Sequence, residues 1–198
     1  MPYPTVNEIQ RWLSHAEQSS SALLNGEQLF EAYKTLLRLT FSRGWRGACH
    51  DTSAVLYIVL SEMGLSPTLL IGEVRGPNGI FDHSWVEFEN NIFDVAVGFP
   101  NEDGGDAGPS VFASLNLGTG RITELEYGIR SDYGLDEIGQ VVSTTNLEEY
   151  SKLQSAGATI WDITAMVGEY LGLEFRQSDL RSKYGHVTRV VRGQEASA

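Results

Sequence analysis

Cysteine is almost absent from this chain, with Cys49 alone among 198 residues. A single cysteine excludes an internal disulfide and every Cys-x-x-Cys metal site. The four histidines include no His-x-x-x-His pair, and the consecutive Cys49, His50 and Asp51 would point apart on a helix. The Gly-rich phosphate loops of nucleotide-binding proteins are missing as well. We therefore expect no metal and no other cofactor.

Basic residues are scarce, since 14 Lys and Arg stand against 26 Asp and Glu and give a formal net charge of -12. Such a charge repels phosphate groups, which argues against nucleic acid and anionic membrane surfaces as partners. The plainest role of this acidity is to keep the protein in solution. The proportions of 41% hydrophobic and 20% charged residues are those of a globular domain with a full core.

Long apolar runs are missing too. The longest mainly apolar stretch, 54–60, is far shorter than the roughly 20 residues that cross a bilayer. The first residues, MPYPTVNEIQRWLSHAEQ, lack the basic and apolar segments of a signal peptide. We expect a cytoplasmic location, although a secreted effector without a cleavable signal would have the same features.

The first part of the chain has helical periodicity. Thr5 and Glu8 fit a capping box that begins the first helix. A second helix is expected to end near Gly44, and a third to run from Cys49 to just before Gly64.

Later segments alternate as strands do and then return to helix. The predicted strands are 68–74, 83–89 and 91–97, and an aperiodic loop follows at 98–110. The region 111–145 is ambiguous. Helices are expected at 147–157 and 159–172, followed by an edge strand in GHVTRVVRG and a disordered QEASA tail. The sequence predicts one α+β domain with N-terminal helices in 1–45, a catalytic core in 46–100 and a portion of unclear role in 111–198.

Cys49 occupies a position that favours reactivity. A thiol attacks as the thiolate, and its ordinary pKa of about 8.5 leaves only a few per cent ionised at neutral pH. The amino terminus of a helix stabilises an anion, and Gly44 and Gly47 allow a sharp turn into it. A lone cysteine is more often a small buried residue, however. The histidines must separate these two interpretations.

One histidine is placed to serve the thiol. His15, His50 and His186 are explained by surface or turn positions, whereas His83 begins a predicted strand. Asp94 lies on the returning strand and projects from the same face. A turn at 89–90 would put the two side chains one diagonal apart, within reach, whereas a turn at 90–91 would separate them. The hypothesis is a Cys-His-Asp triad.

These segments resemble the core of the transglutaminase-like superfamily, within the papain-like cysteine protease fold. RGACHD, EMGLSPTLLIGEV and HSWVEFENNIFDV carry the likeness over about residues 44 to 98. The matching residues are Gly47, Cys49, Asp51, Gly64, His83, Trp85, Glu87 and Asp94. The implied core has its nucleophile at the start of a buried helix packed on an antiparallel sheet.

The resemblance implies a thiol hydrolase or acyltransferase. Cys49 would be the nucleophile, His83 the base and then the acid, and Asp94 the group that orients His83. The substrate would be a peptide, a protein or a small amide or ester. The backbone amide of Cys49 would bind the oxyanion, with Trp45 as second donor or Arg43 or Arg46 instead.

Asp51 and Trp85 are expected to support the site, Asp51 at the helix start and Trp85 in the core. The most direct function is that of a cysteine peptidase or amidase. Alternatives are a transglutaminase or an N-acyltransferase with an amine acceptor, since RGAC and FDVAVGF resemble segments of arylamine N-acetyltransferases. A non-catalytic binding module on the same fold is a further alternative, but all three triad residue types are present. The sequence does not indicate the oligomeric state.

Overall fold

The computed structural model describes residues 3–99, 107–154 and 157–193. Its helices are α1 Val6–Ser20, α2 Gly26–Arg43, α3 Cys49–Glu62, α4 Glu137–Thr144, α5 Leu147–Leu153, α6 Ile160–Tyr170 and α7 Gln177–Tyr184. Its strands are β1 Thr68–Gly76, β2 Gly79–Phe88, β3 Asn91–Phe93, β4 Val111–Phe112, β5 Leu115–Asn116, β6 Arg121–Ile122, β7 Glu126–Ile129 and β8 Val190–Val191. The fold is α+β, as predicted.

The N-terminal helices follow the sequence pattern. The Thr5 hydroxyl accepts a hydrogen bond from the Glu8 amide, and the Glu8 carboxylate accepts one from the Thr5 amide, which completes the predicted capping box. Helix α2 ends at Gly44, whose φ of 64° is left-handed. The expected helix end before Gly64 is also confirmed, since Gly64 has a φ of 84°.

Helix α3 is the centre of the main core. Its apolar residues are buried on nearly every side, because α3 packs against α2, α6 and the sheet strands β1 and β2. This packing fixes the direction of the helix. Its first residue, Cys49, thereby lies close to β2.

The main sheet has the order β3-β2-β1-β7, and β8 pairs with β1 in parallel. The pair Phe88–Asn91 closes the β2–β3 hairpin around Glu89 and Asn90, whose φ values are 49° and 61°. These left-handed residues suit a tight hairpin turn. Of the two predicted registers, the one with the turn at 89–90 is therefore correct.

The predicted strand bounds need correction. Strand β2 begins at Gly79 instead of His83, and β3 ends at Phe93 instead of continuing to 97. Strand β3 ends early because Asp94 leaves β2 and bridges to Val111, with backbone hydrogen bonds of 2.8 Å in both directions. A 3-10 turn at Ala96–Gly98 follows.

The C-terminal portion completes the sheet and covers the main core. Helices α5 and α6 and strand β8 correspond to predicted elements, whereas α4 and α7 were not predicted. The region 111–145, which was ambiguous in the sequence, contains the strands β4 to β7 and helix α4. Strands β4, β5 and β6 form a small separate sheet. Most of the 98–110 loop and the QEASA tail lie outside the described residues. Within the described ranges, no helix combines the length and apolar character needed to cross a membrane.

Candidate active site

Cys49 lies in the first turn of α3 and is partly exposed. The residue before it, Ala48, has no polar side chain to cap the helix. The first backbone amides of α3 therefore receive no side-chain capping bond at the N-cap. Their partial positive charge favours an anion at this point, such as a thiolate or the oxyanion of a substrate.

His83 and Asp94 meet as the 89–90 register requires. His83 Nε2 is 2.7 Å from Asp94 Oδ2, and the two residues are 5% and 2% exposed. The ring N–H is not aligned with the oxygen, so the contact is an ion pair more than a linear hydrogen bond. Burial lowers the pKa of His83, but the Asp94 carboxylate and then the Cys49 thiolate outweigh burial and raise this pKa to about 10. His83 is therefore held as an imidazolium.

The pKa of the Cys49 thiol is shifted in the opposite direction, to a lower value. Burial raises the pKa of Cys49, but the charges of His50 and His83, together with their hydrogen bonds to the sulfur, hold the pKa well below its ordinary value. The Cys49 sulfur and the His83 imidazole are therefore more stable as a thiolate–imidazolium pair than as two neutral groups. This is the state in which a cysteine attacks a carbonyl.

The Asp94 carboxylate is fixed by more than His83. Its Oδ1 accepts a hydrogen bond of 3.1 Å from the Val97 amide, and its Oδ2 accepts one of 2.8 Å from the Tyr127 hydroxyl. Tyr33 donates to the Asp94 carbonyl oxygen. The sequence did not indicate Tyr127, because it lies in a region without readable periodicity. The only signal in the sequence would have been a strand-like alternation of side-chain character around residues 126–129.

We expect Tyr127→Phe to lower the free energy of unfolding by about 1.5–3 kcal/mol, the usual value of a hydrogen bond to a charged group. The substitution leaves the Asp94 oxygen with one donor fewer in a buried site. Urea unfolding at neutral pH measures the change. Tyr133→Phe is the matched control, because Tyr133 is 92% exposed. Equal stability of the two variants would show that the Tyr127 hydroxyl does not stabilise the carboxylate.

His50 also approaches the thiol, which the sequence did not predict. Its Nδ1 is 2.7 Å from Ser84 Oγ on β2, and the imidazole is close enough to the sulfur to lower the pKa of Cys49. The expectation that His50 diverges from Cys49 is therefore wrong. The contact with Ser84 keeps the ring between α3 and the sheet, beside the sulfur.

The C-terminal portion holds the start of α3. Asp51 Oδ1 accepts hydrogen bonds from the Tyr150 hydroxyl at 2.5 Å and from Gln154 Nε2 at 2.9 Å. The buried Arg189 donates to the His50 carbonyl oxygen at 3.0 Å and lies over the Tyr150 ring. Asp51 thus connects the first turn of α3, which contains Cys49, to α5 and the residue after it, instead of capping its own helix.

The residues considered as the second oxyanion donor make other contacts. Trp45 packs against the main core and is not among the described residues that line the cleft at Cys49. Of the alternatives, the Arg46 guanidinium lies 5.2 Å from the centre of the Tyr3 ring, and Arg43 Nη2 contacts the Met166 sulfur. The Cys49 amide remains as the donor expected from the sequence.

Trp85 is fully buried, as predicted. Its ring packs edge-to-face on Tyr127 with 5.1 Å between ring centroids, and its Nε1 donates to Glu87 Oε1 at 3.1 Å. Trp85 therefore supports the tyrosine that binds Asp94.

A cleft of about 190 Å³ opens at the sulfur. Its lining includes Gly47, Ala48 and Cys49, residues 79–83 of β2, and Ala96, Val97 and Phe99. Within the described ranges, no group of three or more His, Cys, Asp or Glu side chains is arranged to hold a metal ion. Neither a family model, nor a curated protein, nor a solved structure matches the chain.

Proposed function

We propose that this protein is a cysteine-dependent acyl-transfer enzyme that acts through a thioester on an amide or ester. The most direct form is a cysteine peptidase or amidase of the transglutaminase-like superfamily, with a papain-like core. The observation that carries the proposal is that three groups distant in the chain lie together. His83 Nε2 lies 2.7 Å from Asp94 Oδ2, and His83 and Cys49 line the same cleft.

The chemistry follows from the protonation states. The Cys49 thiolate attacks the substrate carbonyl, and the negative charge moves to the carbonyl oxygen, beside the Cys49 amide. The C–N or C–O bond breaks as His83 gives its proton to the leaving amine or alcohol. His83 then takes a proton from water, whose oxygen attacks the thioester. This step releases the acid and restores the thiolate–imidazolium pair.

Asp94 has a positioning role in this scheme. Its carboxylate faces His83 Nε2, which in this scheme leaves the other ring nitrogen to exchange the proton with the sulfur and the leaving group. The Tyr127 and Val97 donors fix the carboxylate in turn. A buried carboxylate that keeps its orientation stabilises the imidazolium without taking its proton.

The proposal is tested by acylation with p-nitrophenyl acetate, followed by intact mass. We expect one acetyl group on the wild-type chain and none on Cys49→Ala, because Cys49 is the only thiol. Discharge of the acetyl-enzyme in buffer with or without a primary amine then identifies the acceptor. A peptidase or amidase predicts release by water that the amine does not accelerate. Failure of Cys49 to accept any acyl donor would contradict the proposal.

A further inference from the structure

A second imidazole lies beside the thiol, on the face of the sheet opposite to His83. Successive residues of a strand point to opposite faces of the sheet. On β2, His83 shares a face with Trp85, whereas Ser84 shares the other face with Val86, which belongs to the main core that α3 completes. His50 Nδ1 lies 2.7 Å from Ser84 Oγ on that second face. The thiol therefore has one imidazole on each side of β2.

Only one of the two rings borders the cleft. Cys49 and His83 are among the residues that line it. His50 is half-buried and Ser84 is 1% exposed, and neither is among the described residues of the lining. A substrate in the cleft therefore meets the sulfur and the His83 ring, and His50 lies outside the space that the substrate occupies.

The Ser84 hydroxyl determines how the His50 ring is used. A neutral imidazole carries its proton on one nitrogen and accepts a hydrogen bond on the other. When Ser84 donates to Nδ1, the proton lies on Nε2, which is then the nitrogen left to donate to the thiolate. The Tyr150 ring lies edge-to-face with His50, with 6.4 Å between ring centroids, and supports the same position. A hydrogen bond donated to an anion stabilises its charged form.

The charged neighbours of His50 are compatible with this use. Along α3 they are the Cys49 sulfur, whose pKa His50 lowers, and the Asp51 carboxylate. The Tyr150 hydroxyl already donates to Asp51. The Arg189 guanidinium donates to the His50 carbonyl oxygen at 3.0 Å and adds a positive charge to the same turn. The ring proton of His50 is therefore available to the sulfur.

We propose that the two imidazoles have different roles: His50, oriented by Ser84, is a positioning residue that stabilises the Cys49 thiolate from outside the cleft, and His83 alone exchanges the proton with the leaving group. The inference rests on the proposed acyl-transfer function and adds a residue to its site. The His50 proton stays on its ring throughout, and no bond to the substrate forms there. His50 therefore changes the amount of thiolate, whereas His83 also changes the loss of the leaving group.

The pH profile of iodoacetamide labelling tests the role of His50. His50→Leu removes the ring, and His50→Gln keeps an N–H donor near the position of Nε2. We expect the leucine variant to raise the pH of half-maximal labelling by about one unit, and the glutamine variant to recover part of the shift. Ser84→Ala should shift the profile in the same direction, because it frees Nδ1, and it decides the test if His50→Leu does not fold. His186→Leu is the matched control, because His186 is exposed.

The dependence on the leaving group separates His50 from His83. p-Nitrophenol leaves readily as its anion, whereas the less acidic phenol depends more on a proton donor. The ratio of acylation rates with p-nitrophenyl acetate and phenyl acetate therefore measures proton donation. The fraction of thiolate cancels in this ratio, because both esters meet the same protein. We expect the ratio to rise at least about tenfold in His83→Ala and to stay within about twofold of wild type in His50→Leu.

The outcomes separate the two proposals. If p-nitrophenyl acetate acylates Cys49 but His50→Leu and Ser84→Ala label with the wild-type pH profile, the role of His50 is wrong and acyl transfer stands. A ratio that rises in His50→Leu as it does in His83→Ala would also overturn the inference, since His50 would then protonate the leaving group. If Cys49 is acylated by no donor, the proposed function fails and the role of His50 in it fails too. A shifted profile with an unchanged ratio supports both.

Discussion

Replacing His83 by alanine is expected to slow the acylation of Cys49 by p-nitrophenyl acetate about 10²–10⁴-fold, the range for loss of a positioned general acid–base group. The substitution removes the imidazolium that stabilises the thiolate, and it also removes the proton donor for the leaving group. His83 is nearly buried and contacts both Asp94 and Cys49. Stopped-flow release of p-nitrophenolate measures the rate.

His186→Ala is the matched control, because His186 is exposed in the C-terminal portion. It should react at the wild-type rate. Circular dichroism and a melting curve confirm that the His83 variant is folded. A folded His83→Ala protein that acylates within about tenfold of wild type would mean that His83 is not the acid–base group, since that effect lies below the usual range.

Asp94→Asn is expected to lower the free energy of unfolding by about 3–5 kcal/mol near pH 6, the usual cost of removing one partner of a buried ion pair. The amide keeps the shape of the side chain but loses the charge that faces His83. The comparison is made on Cys49→Ala protein, where no thiol titrates. Asp132→Asn is the control, because it removes the same charge from an exposed position.

The loss of unfolding free energy caused by Asp94→Asn is expected to become smaller as the pH rises. The folded-state pKa of His83 is raised above its unfolded value of about 6.5, mainly by Asp94. With the Cys49 thiolate present this pKa is about 10, and in Cys49→Ala protein it is lower because only Asp94 raises it. The stabilisation is therefore complete below about pH 6.5 and is lost as the pH rises through the folded pKa. Urea unfolding at several pH values should show the two proteins converging in that window. A stability difference that grows with pH would contradict the His83–Asp94 pair.

The parts of the fold set by local rules were predictable. The capping box at Thr5, the left-handed glycines after α2 and α3, and the start of α3 at Cys49 all follow from neighbouring residues. The hairpin that joins His83 to Asp94 is also local, because the period of a strand and a two-residue turn define its register. That is why His83 and Asp94, two of the three residues of the proposed triad, could be paired by counting.

The missing parts depend on contacts between distant segments. Strand β3 ends early because Asp94 bonds to Val111, a partner 17 positions later. Tyr127 reaches Asp94 because β7 pairs with β1. The His50 ring turns toward the sulfur because of Ser84, on another element. A pattern read along one segment contains no information about such partners.

The most direct test of the account is the rate of iodoacetamide labelling of Cys49 as a function of pH, followed by intact mass. A thiolate stabilised by His83 and His50 predicts rapid labelling that stays high well below the ordinary thiol pKa of about 8.5. His83→Ala should move the profile back toward that value, and Asp94→Ala should move it in the same direction. Slow labelling of the wild-type protein that rises only near pH 8.5 would contradict the account.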